Sequence, residues 1–365
     1  MNRSYLALVL AGCAVVSGCS SATSTQDSSR SGDETGGLPS SGGERAPTSP
    51  GGATGGTGGG TTDGTPGAEQ QIAGKLTAGV WDDNLNYDFF GKYLAESKGM
   101  AGLSIVSDLD RKNAHDRSLV RGAKSELDVA IVLDTTSSMS DEIRYLQAEF
   151  DAIAKTVKDR FPQTTPRFGL VVYRDHADDY VTRSVPFTAD AIAFRASLAA
   201  QASGGGGDLP EAVPEGIDEG VKLDWRTTGN VARLMFWVAD APQHPGTEQA
   251  VSQAVLSAVA KDIHVYPIAS SGVTGAAELT MRTTAQVTGG RYIFLTDDSG
   301  VGNAHAEPHI PCYVVTPLQG AIVRMVDSEM RGVRSEPAAA EVIRTVGDPK
   351  DGRCELQDKS EVVLY

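Results

Sequence analysis

Cysteine is scarce in this chain, with four in 365 residues. That excludes a small scaffold built on disulfides. Cationic residues are in the minority: 32 Lys and Arg face 47 Asp and Glu, a net charge of −15. No basic stripe exists, which excludes a nucleic-acid surface. The acidity favours solubility or cations and does not specify a fold. Large apolar residues are all but missing from residues 20 to 68, where Leu38 stands alone. Such a segment cannot bury enough surface to offset its ordering entropy. It is expected to be a flexible tether with a span on the order of 40 Å. No internal repeat is visible. Two catalytic signatures are also absent. Ser137 and Ser138 lack the Gly-x-Ser-x-Gly elbow of a nucleophile, and Gly204–Gly207 is not followed by the Lys of a phosphate loop.

What is present begins with an export signal. Arg3 supplies the positive charge and Leu6 to Val16 the apolar stretch, which is too short for a membrane span. Val16-Ser17-Gly18-Cys19 looks like the bacterial box after which the cysteine becomes the lipidated first residue. Residues 1–18 therefore read as a lipoprotein signal peptide and 19–71 as the tether. The expected location is the cell envelope, lipid-anchored through Cys19. In a cell with two membranes, Ser20 after that cysteine, with no aspartate, points to the outer one. Cys13 leaves with the signal, so Cys312 and Cys354 remain as an even pair in an exported chain. A disulfide between them is expected. Closing a loop of about 40 residues stabilises by roughly 3–4 kcal/mol in a chain-entropy model.

The whole chain is 40% hydrophobic, which gives the remaining residues enough for one sizeable core. From residue 127 apolar strands alternate with helical patterns, the mark of a mostly parallel sheet covered on both faces. The strands are Leu127–Leu133, Phe168–Tyr173, Leu234–Ala239, Ile263–Ala269 and Arg291–Leu295. Tyr180–Val185 is more polar and reads as an antiparallel edge strand. Ile143, Leu146, Phe150, Ile153 and Val157 mark one helix face. Val251, Val255, Ala258 and Val259 mark a second. Leu209 to Val221 mark a third, with Pro210 at its first position and Pro214 awkwardly inside it. A helix over 275–288 should end at Gly289-Gly290, and a last one should run over 314–331. The expected architecture is α/β, a doubly wound, mostly parallel six-stranded sheet with one antiparallel edge strand. Residues 72–126 form an accessory segment that should pack on this domain, because Trp81, Tyr87, Phe89 and Phe90 are too apolar for a linker. Residues 332–365 form an extension tied by the disulfide.

The chemistry centres on Leu127-Asp-Val-Ala-Ile-Val-Leu-Asp134-Thr135-Thr136-Ser137-Ser138-Met139. An apolar strand delivers one carboxylate and two hydroxyls, at alternate positions, into the turn before a helix. Hard divalent cations take such oxygen ligands at the carboxyl ends of strands. The pattern resembles the metal-ion-dependent adhesion site of von Willebrand factor type A domains, written Asp-x-Ser-x-Ser, with Thr136 in place of the first Ser. The order of strands and helices resembles that family over 127–331. The resemblance implies a metal held by Asp134, Thr136 and Ser138 from the first loop and by Asp240, at the end of Met235-Phe-Trp-Val-Ala-Asp240, from the third. The second loop departs from the family. In Ser203-Gly-Gly-Gly-Gly-Asp208-Leu-Pro-Glu211, Gly207 falls where a Thr is usual. Either water replaces that Thr or Asp208 supplies an oxygen.

The implied cofactor is Mg²⁺, with Mn²⁺ or Ca²⁺ as substitutes. The implied function is non-enzymatic, a metal-assisted grip on a protein partner through an acidic side chain that completes the octahedral shell. Two rival readings are a metal-independent envelope scaffold and a metal-dependent hydrolase using Asp134. For the hydrolase the sequence offers no general acid or oxyanion donor. Elsewhere, Tyr173-Arg174-Asp175-His176 joins two strands. Asp175 could hold a water near the metal, but a solvated turn is the simpler reading. His305-Ala-Glu307-Pro-His309 has a zinc-like spacing, yet Pro308 argues against a helical pair and makes it a loop. The histidines nearest the motif loops, His176 and His244, imply no proximity by themselves.

Overall fold

The computed structural model describes residues 76–364, apart from 101, 102, 104, 105, 120, 208, 274 and 301–303. The signal peptide, Cys19, the tether and Asp208 lie outside the described residues. In chain order the elements are β1 (Thr77–Trp81), α1 (Tyr87–Glu96), α2 (Asp108–Ser118), β2 (Glu126–Asp134), α3 (Ser140–Arg160), β3 (Arg167–Tyr173), β4 (Thr182–Thr188), α4 (Ala191–Ala199), α5 (Val213–Lys222), β5 (Val231–Ala239), α6 (Glu248–Ala260), β6 (His264–Ala269), α7 (Ala276–Thr288), β7 (Tyr292–Thr296), β8 (Tyr313–Pro317), α8 (Leu318–Arg331), β9 (Arg344–Val346), β10 (Arg353–Glu355) and β11 (Glu361–Val363).

Among the described residues the strands form one nine-stranded sheet, ordered β4-β3-β2-β5-β6-β7-β1-β8-β9, and a separate ribbon of β10 and β11. Strands β3, β2, β5, β6 and β7 run parallel. They are apolar throughout because both faces are covered. Ala130 and Val132 point into a core with Ile217, Val251 and Met281, from α5, α6 and α7. Val129, Ile131 and Leu133 point into the opposite core, with Phe150, Phe194 and Met325 from α3, α4 and α8. The doubly wound α/β architecture is therefore as expected.

The strand count is not. All six expected strands are there, with the antiparallel edge strand β4 shifted to Thr182–Thr188. Three more extend the sheet beyond β7. β1 lies between β7 and β8, antiparallel to both, and β9 closes the edge antiparallel to β8. Thr77 of β1 pairs with Thr296 and with Pro317, partners more than two hundred residues away, so no local pattern announces the pairing. The accessory segment thus supplies an interior strand. The helix expected over 314–331 begins only at Leu318, because the β-branched Val314 and Val315 form β8. The helix expected from Leu209 begins at Val213, which places Pro214 in the first turn, where a missing N–H costs little. Cys312 and Cys354 are bonded, with Cα atoms 6.4 Å apart.

Candidate metal centre

The parallel register sets the site. Leu133 of β2 is level with Val238 of β5, so Asp134 ends one strand beside the end of the next, and Asp240 follows directly. Both carboxylates emerge at the carboxyl edge of the sheet. Asp134 is fully buried. Its Oδ1 accepts from the Thr136 backbone N–H at 2.8 Å and from the Thr136 hydroxyl at 2.7 Å. Thr136 Oγ1 lies 3.3 Å from the Ser138 hydroxyl, and Ser138 pulls the Asp240 carboxyl down against the effect of burial. The sequence-expected residues Asp134, Thr136, Ser138 and Asp240 thus stand together, the last three on one cleft. Asp208 lies outside the described residues.

The second loop closes over this group. Gly205 and Gly206 adopt positive φ, +75° and +69°, a region open to glycine without strain. The Gly206 N–H donates to both oxygens of Asp178, at 3.1 and 2.9 Å, and the Ser137 hydroxyl donates to the Gly205 carbonyl at 2.7 Å. Arg174 ties the loops together, donating to the carbonyls of Thr135 at 3.1 Å and Ala202 at 3.0 Å. The result is an open cleft of about 270 Å³, bounded by Thr136, Ser138, Gly206, Glu211 and Asp240.

Glu211 is the residue that sequence reasoning missed. It is 3% exposed, held by its N–H on the Pro242 carbonyl at 3.0 Å. Its Oε1 lies beside Gly206, near enough that a Cβ there would approach it to 3.4 Å and Thr136 Cβ to 3.2 Å. Glu142, at the start of α3, is a second such group. Its Oε1 accepts from the Ser271 hydroxyl at 3.0 Å. A glutamate in a Gly-Pro loop and one in a helix's first turn carry no local mark of a site. The only available signal for Glu211 was its adjacency to the glycine run.

The electrostatics are those of a buried carboxylate cluster. Four buried oxygens of this cluster find no hydrogen-bond partner among the described residues: Asp134 Oδ2, Asp240 Oδ1, Glu211 Oε2 and Glu142 Oε2. Burial pushes the Asp134 carboxyl up to about 7; the Thr136 hydrogen bonds pull it down, and the Asp240 and Glu142 charges push it further up. Burial, then Asp134 and the aspartates around it, push Glu211 up to about 9. Asp240 and Glu142 are raised chiefly by burial. Unpaired buried carboxylate oxygens are expensive. Beside two hydroxyls and an open cleft, they fit a hard divalent cation.

A separate group sits in the neighbouring turns. Asp175, after β3, opens a solvated turn but is itself partnered: its Oδ1 meets His244 Nε2 at 2.5 Å and His176 Nδ1 at 3.4 Å. The His305–His309 stretch is a loop whose histidines turn to different carboxylates, Asp297 and Glu278.

Residues 128–301 match the model of the von Willebrand factor A domain. The alpha-protein kinase vwkA of Dictyostelium discoideum is 29% identical over 124 residues, which cover 33% of this chain and 19% of that protein. The chain thus spans about a fifth of that relative's length. Among solved structures, the conserved hypothetical protein BatB from Bacteroides thetaiotaomicron aligns at 17% identity over 56% of this chain and 98% of its own, with a TM-score of 0.36. The pilus adhesin SpaC from Lactobacillus rhamnosus GG aligns at 11% identity over 46% of this chain and 30% of its own, with a TM-score of 0.32. With the matched span running from β2 past β7 and the two acidic strand ends inside it, this chain carries a domain that belongs to the von Willebrand factor A family.

Proposed function

We propose that this chain is a lipid-anchored envelope protein whose domain binds a protein partner through a divalent cation. The observation that carries the reading is the pair of unpartnered, buried oxygens on Asp134 and Asp240, behind a cleft lined by Thr136, the exposed Ser138, Glu211 and Asp240. Asp134, Thr136, Ser138 and Asp240 would hold the ion, directly or through water, and Glu211 would stand in the place left by Gly207. Bound there, Mg²⁺ would supply a directional Lewis-acid position for a partner's carboxylate, because it demands near-ideal octahedral geometry. The remaining work belongs to the protein. Thr136 orients Asp134, Arg174 fixes the loops, and the glycine loop leaves the mouth open. A binding role suits the family better than catalysis. The box ending at Cys19 supports the envelope location, and the sequence between it and the domain supports a tether.

Calorimetric titration with Mg²⁺ and Mn²⁺ tests this reading. The expected result is saturable binding that Asp134→Ala abolishes while circular dichroism stays unchanged. Capture of an envelope protein that is lost in chelator and in the same variant would then identify the partner. No binding by the folded wild type would leave a metal-independent scaffold.

A further inference from the structure

We propose that Asp175, His176 and His244 form a second metal site, for a borderline-soft divalent cation of the Zn²⁺ class. Each of the three offers one ligand atom, and these atoms lie within 4.8 Å of one another. They come from two loops at the carboxyl edge of the sheet, one after β3 and one after β5. The two imidazole rings stand 5.5 Å apart, centroid to centroid, and both turn a nitrogen to the same oxygen, Asp175 Oδ1.

The donor set selects the ion. Two imidazole nitrogens and one carboxylate suit zinc and its transition-metal neighbours, whereas magnesium prefers oxygen and water. The site is therefore chemically distinct from the Asp134 cleft and does not depend on the reading given to that cleft. It is also built beyond its ligands. Glu215 of α5 meets His176 Nε2 at 2.9 Å. A carboxylate on one ring nitrogen fixes the orientation and tautomer that leave the other nitrogen, Nδ1, for a metal. The His244 carbonyl accepts from the Thr247 hydroxyl at 2.7 Å and from the Thr247 N–H at 3.1 Å, which anchors that loop.

Simple hydrogen bonding does not require this arrangement. The other four histidines each meet a separate acceptor: His115 the Asn84 carbonyl, His264 Glu329, His305 Asp297 and His309 Glu278. Only here do two imidazoles share one oxygen. The proton between His244 and Asp175 marks the position an ion would take, with the bond opening to make room. Three protein ligands leave a fourth position, and access is open because the His176 side chain is half exposed. That position suits water or a donor from a partner.

The test is calorimetric titration of the full chain with ZnCl₂ in excess Mg²⁺, followed by His176→Ala, His244→Ala and Glu215→Gln. The wild type should bind Zn²⁺ saturably. Both histidine variants should lose that binding, Glu215→Gln should weaken it by about 10–100-fold, and all three should keep the wild-type Mg²⁺ isotherm. Absence of saturable Zn²⁺ binding in the wild type overturns the proposal, as does undiminished binding in His176→Ala. That residue is exposed enough that its loss leaves the fold intact, so it decides the matter even if His244→Ala unfolds.

Discussion

Asp134 behaves in the metal-free protein as a group that would rather be neutral. Its carboxyl titrates near 7 when folded and in the ordinary carboxylate range when unfolded. The folded state therefore holds a proton that the unfolded state has already released. Stability from this group is full below the ordinary carboxylate pKa and is lost as pH rises through about 7. One such group changes stability by up to about 1.4 kcal/mol per pH unit within that window. Glu211 extends the decline toward about 9. Urea denaturation in chelator should show stability falling across the neutral range, and saturating Mg²⁺ should flatten the fall by replacing the proton. Glu211→Gln should remove the alkaline part of the slope. Asp134→Asn should make the metal-free protein more stable than wild type above neutral pH, while calorimetry finds its Mg²⁺ binding gone. Of the residues in this cleft, the aspartates and hydroxyls were legible because a strand, a turn and a helix start frame them. Glu211 and Glu142 were not, since their roles depend on where α5 and α3 begin in space.

At the scale of elements, the segment before the matched domain is structural. The turn after β1 buries Asp82 and Asp83, which between them bind three arginines from distant elements. Asp83 takes two hydrogen bonds from Arg282 of α7, at 3.0 and 2.7 Å. Asp82 meets Arg334, which follows α8, at 2.8 Å, and Arg291, which precedes β7, at 3.3 Å. Arg282 has no exposed side-chain surface and also bonds Glu278 at 3.0 Å. Arg282→Ala takes the arginine partner from two buried carboxylates, and removal of one partner of a buried pair costs about 3–5 kcal/mol. Denaturant titration should show a loss of that size, whereas an exposed pair such as Lys155–Asp159 should give less than about 1 kcal/mol on Lys155→Ala. Removing residues up to 125 should do more, leaving β7 and β8 with unpaired edges, and size-exclusion chromatography should show aggregation. The aromatic residues of this segment announced burial in the sequence. That β1 lies inside the sheet was illegible, because a five-residue apolar strand has no pattern that names its neighbours.

For the whole molecule, the sheet gathers strands from both ends of the described residues. The extension after α8 returns as β9 on the sheet edge, and Cys354 on β10 bonds Cys312 just before β8. The bond closes 42 residues, worth roughly 4 kcal/mol in a chain-entropy model. The double variant Cys312→Ser, Cys354→Ser should lose up to that amount in urea, with the first hydrogen-exchange losses over residues 344–363 and little change at β2 or β5. The order of helices and parallel strands could be read from residue 127 onward, because apolar runs and helical spacings alternate there. The closing third of the sheet could not, because β1, β8 and β9 are joined by long-range pairing alone.

β1 runs against the parallel strands, so the chain enters it at Thr77, beside Thr296, on the same sheet edge that carries Asp134. A pull on Leu76 while the cation site is gripped acts between two points of that one rim, four strands apart, and so runs across the strands. The pairs of Thr77 with Thr296 and Pro317 carry it first, and the ladders to β7 and β8 open from that end, one pair after another.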